Sequence, residues 1–220
     1  MRRNFTHAIF FFLAICATAS TALAQSQNAP IDEGNSNFVL SSPNFKQGEK
    51  LSKANEFDGF AGCSRTLVAP FSNCSSNGSA NKYIAEGLNC NGRNLPPTFN
   101  WKGAPAGAKS FAFTIYNPDI KTGSGWWHFI AYNIAAFNNN LNPSKLPNGA
   151  LAAYNDGGSK YFMGPCPAAG SGTNRYIFTV YALDVDKLEI APTASAALAS
   201  YLINRHKIAS AVLMATYERP

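Results

Sequence analysis

Two stretches of this chain, residues 126–134 and 175–183, are apolar on both faces of an extended backbone. Strands of that kind belong in the middle of a sheet that is covered on both sides. Residues 110–116 read as a further strand, with Phe111, Phe113 and Ile115 alternating onto one face. Gly- and Pro-rich connectors at 102–107, 121–125 and 157–172 separate these segments. Residues 38–45 predict a first strand and turn, and 208–217 a last strand. One helix is expected near the end. Pro192 precedes Thr193 and Ser195, either of which can cap it, and Leu198, Tyr201 and Leu202 form an apolar stripe at helical spacing. The chain is therefore expected to be mainly β, without internal repeats.

The amino terminus carries a separate signal. Arg2 and Arg3 precede an apolar run over 8–19, and Ala22-Leu23-Ala24 makes a small-x-small cleavage site before Gln25. Residues 1–24 thus read as a signal peptide, and 25–220 as one domain. The apolar run falls short of the roughly 20 residues that a spanning helix needs. Export is expected, to a periplasm or out of the cell, with no transmembrane segment. A lipid anchor on Cys16 fits less well, because Ile15 stands where a small residue is wanted.

Cysteine usage agrees with export. Cys63, Cys74, Cys90 and Cys166 remain after cleavage, an even number suited to an oxidising compartment. Four cysteines allow three connectivities, and the favoured one pairs Cys63 with Cys74 and Cys90 with Cys166. The second, long-range bridge would stabilise by roughly 4–5 kcal/mol in the chain-entropy model. A zinc site is disfavoured: there is no CxxC pair, and only His128 and His206 lie beyond the signal. Residues 64–88, rich in Ser, Asn and Gly, read as a surface insertion with a turn at Asn77-Gly78. Asn73 and Asn77 head N-x-S sequons there, which matter only in a eukaryotic secretory route.

Charge excludes little but points away from nucleic acid. Without Arg2 and Arg3, 16 of the 18 Lys and Arg remain against 12 Asp and Glu, a formal charge of +4. The basic residues are scattered, with no dense run and no interleaved aromatic patch. No G-x-S-x-G elbow, H-E-x-x-H pair or phosphate loop is present, so the chain is not expected to be an enzyme or to carry a cofactor.

Polar groups interrupt the apolar strands at three places. They are Tyr116-Asn117-Pro118-Asp119, Gly125-Trp126-Trp127-His128, and Gly164-Pro165-Cys166-Pro167 with Asn174-Arg175-Tyr176 after it. Neighbouring strands would bring these groups to one sheet edge, the arrangement of a small-ligand site. Asp119 is expected to pair with Arg175 at its rim. Trp126 and Trp127 read mainly as packing, and His206, Asp156 and Asp184 as surface or loop residues.

In this order, the blocks resemble those of the phosphatidylethanolamine-binding protein family, in its bacterial YbhB/YbcL, or Raf-kinase-inhibitor-like, branch. The family pattern runs D-P-D-x, G-x-W-H, G-P-x-P-P and H-R-Y. Trp101-Lys102-Gly103-Ala104-Pro105 and Phe178-Thr179-Val180-Tyr181-Ala182-Leu183 match as well. The resemblance implies a large antiparallel sheet packed against a smaller one, with a C-terminal helix and few other short helices. It also implies a small pocket for phosphate- or carboxylate-type groups, carried over to Asn117, Asp119, Trp127, His128, Gly164, Pro165, Pro167, Asn174 and Tyr176.

Two positions depart from the pattern. Asn117 stands for an acid and Asn174 for a His. Amides hydrogen-bond but do not change charge. His128 then lacks a carboxylate partner unless Asp119 serves, and a buried His without one tends to the neutral form. Weaker and less pH-sensitive anion binding follows, or a shift towards a neutral polar ligand. The other role the resemblance allows is a protein-interaction module, an inhibitor or modulator of a protein partner, acting through loops around a degenerate pocket.

Overall fold

The computed structural model describes residues 37–58 and 90–220. Contacts divide the chain into two units, Met1–Asp32 and Glu33–Pro220, and the described residues belong to the second. The signal peptide, the Cys63–Cys74 pair and the insertion at 64–88 lie outside the described residues.

The described strands are β1 (Val39–Ser41), β2 (Phe99–Lys102), β3 (Ser110–Asn117), β4 (Trp126–Ala135), β5 (Asn140–Leu141), β6 (Leu151–Ala152), β7 (Asn174–Leu183) and β8 (Lys207–Tyr217). They form two antiparallel sheets, ordered β6–β4–β3–β7–β8 and β1–β2–β5. The expected pair of sheets, one large and one small, is what forms.

Phe99 and Trp101 of the small sheet meet Phe111, Phe113 and Phe178 of the large one. Ring centroids lie 4.7 Å apart for Phe99–Phe113, 5.0 Å for Phe99–Phe178 and 5.3 Å for Trp101–Phe111, within the range of favourable aromatic pairs. The other face of the large sheet packs Ala112, Ile130, Tyr132 and Leu183 against helix α1 (Ala196–His206). This double cover is why β4 and β7 lack a polar face. The central strand β3 is likewise buried on both faces, because the small Ala112 and Thr114 lie on its second side.

Ser195 caps α1, its hydroxyl accepting from the N–H of Leu198 at 3.3 Å. The expected apolar stripe is not the buried one. Leu198 is 45% and Tyr201 60% exposed, while Ala196, Ala199 and Ile203 face the sheet. Ala196 and Ala199, together with Ile203, pack against the bulky Ile130 and Tyr132 of the sheet surface below.

Two irregularities interrupt the β3–β4 pairing. Ile115 pairs with Phe129 and Tyr116 with Trp127, which leaves His128 as an extra, unopposed residue. A second extra residue falls between the Phe111–Ile134 and Phe113–Ala131 pairs. There Asn133 takes a left-handed conformation (φ 59°), and its side chain accepts from the Leu188 N–H at 2.8 Å.

Candidate functional site

The bulge at His128 builds the site. Without it, strand alternation from Phe129 would put Trp127 on the inner face and His128 under the helix. The extra residue reverses that. Trp127 packs on Tyr116 with centroids 4.6 Å apart and joins the helix-side cluster. His128 and Trp126 turn to the inner side, where the His128 and Tyr176 rings lie 5.2 Å apart.

His128 and Met163 bond reciprocally. The Met163 N–H donates to the His128 carbonyl at 3.1 Å, and the His128 Nδ1 donates to the Met163 carbonyl at 2.7 Å. Asn94 clamps the same loop, accepting from the Gly164 N–H at 2.7 Å and donating to the Phe162 carbonyl at 3.2 Å. The Phe57 N–H bonds the Pro165 carbonyl at 3.0 Å. A Cβ on Gly164 would strike the Asn55 carbonyl, so this close approach of two backbones requires glycine. The Cys90–Cys166 disulfide, with Cα atoms 5.9 Å apart, joins the segment that carries Asn94 to the Gly164 loop across 76 residues. This is the long-range bridge favoured from the sequence.

At the strand tips, Asn117 donates to the Asn174 Oδ1 at 3.1 Å and accepts from the Asp119 N–H at 2.8 Å. Asp119 binds Arg175 through both carboxylate oxygens, with Nη2–Oδ1 at 2.7 Å and the main-chain N–H on Oδ2 at 2.7 Å. Those hydrogen bonds from Arg175 hold the Asp119 carboxyl below its usual pKa despite partial burial. Asp119 therefore serves Arg175, and His128 is backed by a main-chain carbonyl instead of a carboxylate. Burial pushes the imidazole pKa down to about 4, against main-chain hydrogen bonds that favour the charged form. His128 is neutral at pH 7. Burial also raises the Tyr176 phenol far above its ordinary value.

A cavity of about 390 Å³ opens beside these groups, within the usual size range of small-ligand pockets. Ile120, Trp126, Met163 and Ala168 give it an apolar wall, and Lys121, Ser171 and the Cys166 disulfide complete it. Of the residues expected from the sequence, Asp119, His128, Gly164, Pro167 and Asn174 line it. Asn117 and Tyr176 are fully buried beside it and do not line it. Pro165 contributes its carbonyl to the supporting strap. Trp127 packs on the helix-side cluster, and its neighbour Trp126 lines the cavity.

Trp126 was legible as an aromatic in the right block, but its face was not. Met163, adjacent to the Gly164 block, and Asn94 had no pattern to mark them. Nor did Glu56, a buried carboxylate bonded by the Tyr217 hydroxyl at 2.5 Å and by Lys53 at 2.6 Å. Burial raises the pKa of Glu56, but Lys53, Tyr217 and the Asn91 N–H together hold it below its usual value.

Three buried side-chain polar atoms lack a hydrogen-bond partner among the described residues: Trp101 Nε1, His128 Nε2 and the Tyr176 hydroxyl. Two of the three sit at this site, where an unpaired buried group costs about 1–3 kcal/mol.

The family model described as phosphatidylethanolamine-binding protein matches residues 74–218. UPF0098 protein YbcL of Escherichia coli is 41% identical over 143 residues, covering 62% of this chain and 78% of YbcL. The crystal structure of E. coli YbcL matches with a TM-score of 0.68 at 35% identity, over 83% of this chain and 99% of that one. UPF0098 protein YbhB of E. coli is 36% identical over 142 residues, 62% of this chain and 89% of YbhB. The putative lipoprotein LppC of Mycobacterium tuberculosis is 35% identical over 131 residues, 60% of this chain and 64% of LppC. With a matched sequence over most of its length and the two-sheet fold of YbcL, the chain belongs to the phosphatidylethanolamine-binding protein family, in its YbhB/YbcL branch.

Proposed function

We propose that this is an exported binding protein whose cavity beside His128 receives the small polar or anionic group of a ligand, without converting it. One observation carries the reading. A buried imidazole nitrogen and a buried phenol both lack partners next to an apolar cavity of ligand size. Binding without catalysis is supported by the backing of His128, a main-chain carbonyl where an activated base would have a carboxylate. Export is supported by the amino-terminal pattern, by the disulfide, and by a relative named as a putative lipoprotein.

The test is an amide NMR titration with inorganic phosphate, phosphoethanolamine and acetate. Saturable shifts at His128, Gly164 and Asn174, with affinities no tighter than millimolar, are expected, and His128→Ala abolishes them. Shifts confined to other surfaces would sink the reading. If the protein instead captures a protein partner through the insertion, deleting residues 64–88 abolishes that capture and leaves the phosphate shifts intact.

A further inference from the structure

The outermost strand of the large sheet has an edge that is covered only in part. β8 ends the order β6–β4–β3–β7–β8, so its far edge carries main-chain groups that no strand of the sheet takes. Towards its carboxyl end, residues 47–51 take them. The Gly48 N–H donates to the Met214 carbonyl at 2.8 Å, and the Leu51 N–H to the Thr216 carbonyl at 2.8 Å. The Thr216 N–H donates to the Glu49 carbonyl at 2.9 Å, and the Met214 N–H to the Gln47 Oε1 at 2.8 Å. Met214 and Thr216 thus turn their main-chain groups outward. Outward and inward residues alternate along an antiparallel strand, so Ser210 and Val212 turn theirs outward as well. Those groups have no partner among the described residues.

The side chains do not guard this stretch. Edges are commonly blunted by charge or proline, and Ile208–Val212 has neither. Ile208 and Val212 are 42% and 41% exposed. The irregularity in the β7–β8 pairing falls at the end of the stretch, beside the Leu183–Lys207 pair.

The chemistry of the edge names its occupant. Outward N–H and carbonyl groups spaced along a strand are matched by another extended main chain. Residues 47–51 already lie that way on the adjoining stretch. A second copy fits poorly. α1 ends at His206 and β8 begins at Lys207, with no loop between. Symmetric antiparallel pairing centred on Ser210 would bring the helix end of the copy beside Met214, where Gln47 and Gly48 already sit. A slim peptide avoids that collision. Charge sets its direction. Lys207 opens β8 and pairs with Leu183, whose carbonyl accepts from the N–H of the exposed Lys109 at 2.8 Å. The neighbouring Asp184 is bonded to His206 at 2.9 Å. This end therefore favours an acidic group.

We propose that Ile208–Val212 is a strand-addition site for an extended segment of a partner protein, running antiparallel to β8. The segment carries β-branched residues opposite Ile208 and Val212 and an acidic residue at its carboxyl end, beside Lys207. The site lies at the far end of β7 from the His128 cavity, since Asn174 pairs with Tyr217 and Leu183 with Lys207. It does not rest on the pocket reading.

The experiment follows amide hydrogen exchange by NMR on the purified chain, alone and with the end-blocked peptide Ser-Val-Ser-Thr-Ser-Val-Asp. In the free chain, the Ser210 and Val212 amides should exchange at least about tenfold faster than those of Ala211 and Leu213, which face β7. Saturating peptide should slow Ser210 and Val212 at least about tenfold. Replacing the peptide's Thr by Pro removes a ladder donor and should weaken binding at least about tenfold. Replacing its Asp by Lys should weaken binding about twofold to fivefold, a difference that salt removes. Val212→Lys, at an exposed position, should block the peptide and leave the melting temperature near wild type. Slow exchange at Ser210 and Val212 in the free chain overturns the proposal, because the edge is then already taken. A peptide that leaves these amides unprotected overturns it as well, as does a Pro peptide that binds equally well. Protection that grows with protein concentration, together with a dimer in sedimentation, assigns the edge to a second copy and also overturns it.

Discussion

Asn117 donates its side-chain amide to the Oδ1 of Asn174 at 3.1 Å, tying the tips of β3 and β7 together beside the cavity. Both residues stand where the family pattern has titratable groups, and their bond leaves His128 without a charged partner. Asn117→Asp tests this directly. The contact with the Asp119 N–H survives, but the donor to Asn174 becomes an acceptor and a negative charge enters the site. The His128 pKa should rise from about 4 towards its ordinary 6.5, followed by NMR titration of the imidazole. Stability should fall by about 1–3 kcal/mol. An unmoved His128 titration would mean that this position does not control the imidazole.

The bulge makes opposite predictions for adjacent tryptophans. Trp127→Ala removes packing from Tyr116 and the helix-side cluster and should lower stability by about 2–3 kcal/mol in urea titrations. Phosphate-induced shifts at His128 should persist. Trp126→Ala removes a cavity wall and should weaken those shifts with a smaller loss of stability.

Stability should depend on pH in two windows. Folded His128 has its pKa depressed to about 4 from 6.5, so between those values the unfolded chain binds a proton that the folded chain refuses. The contribution is complete above pH 6.5 and declines as pH drops to about 4, by about 3 kcal/mol in total. Glu56 and Asp119 are acids held below their usual values. Their contribution is present above the unfolded carboxyl pKa, roughly 4, and is lost as pH falls through their folded values. Urea midpoints across this range measure both. His128→Gln should flatten the upper window only, and a wild-type curve flat from pH 6.5 to 4.5 would contradict the assignment.

Removing the Cys90–Cys166 bridge, by reduction or by a double Ala replacement, should cost about 4–5 kcal/mol for a loop of 76 residues. Because Cys166 lines the cavity, the same change should weaken phosphate-induced shifts in whatever fraction stays folded.

Gly164→Ala forces a methyl group against the Asn55 carbonyl and within 2.7 Å of the Phe57 nitrogen. Neither neighbour is a flexible tip, so the loss should reach about 1–3 kcal/mol or more. Gly107→Ala is the control. Its nearest neighbour is the Ile208 Cδ1 at 3.6 Å, an ordinary contact, and its melting temperature should stay close to wild type.

Much of the fold was legible because burial leaves a periodic trace. The unbroken apolar runs in β4 and β7 announced a sheet covered on both faces. The Asp119–Arg175 pair was also readable, from charges at two strand tips, and the long disulfide is the favoured of three connectivities that the sequence left open. The buried face of α1 was not. Leu198 and Tyr201 have more apolar surface than Ala196 and Ala199, but it is the latter pair, with Ile203, that packs over Ile130 and Tyr132.

Sequence by itself determined the inventory: one imidazole among strand tips, two amides in place of titratable groups, and glycine where two backbones touch. Those are properties of residue type, and residue type is all that a local pattern carries. Tertiary structure alone decided which way each side chain faces. A single unopposed residue in β4 reverses the alternation, bringing His128 and Trp126 to the cavity and sending Trp127 to the helix. It also decided the partner of the imidazole, a carbonyl from a loop 35 residues away, and through it the nitrogen left bare. Facing and pairing depend on register between strands distant in sequence, and a one-residue slip in register leaves the sequence unchanged.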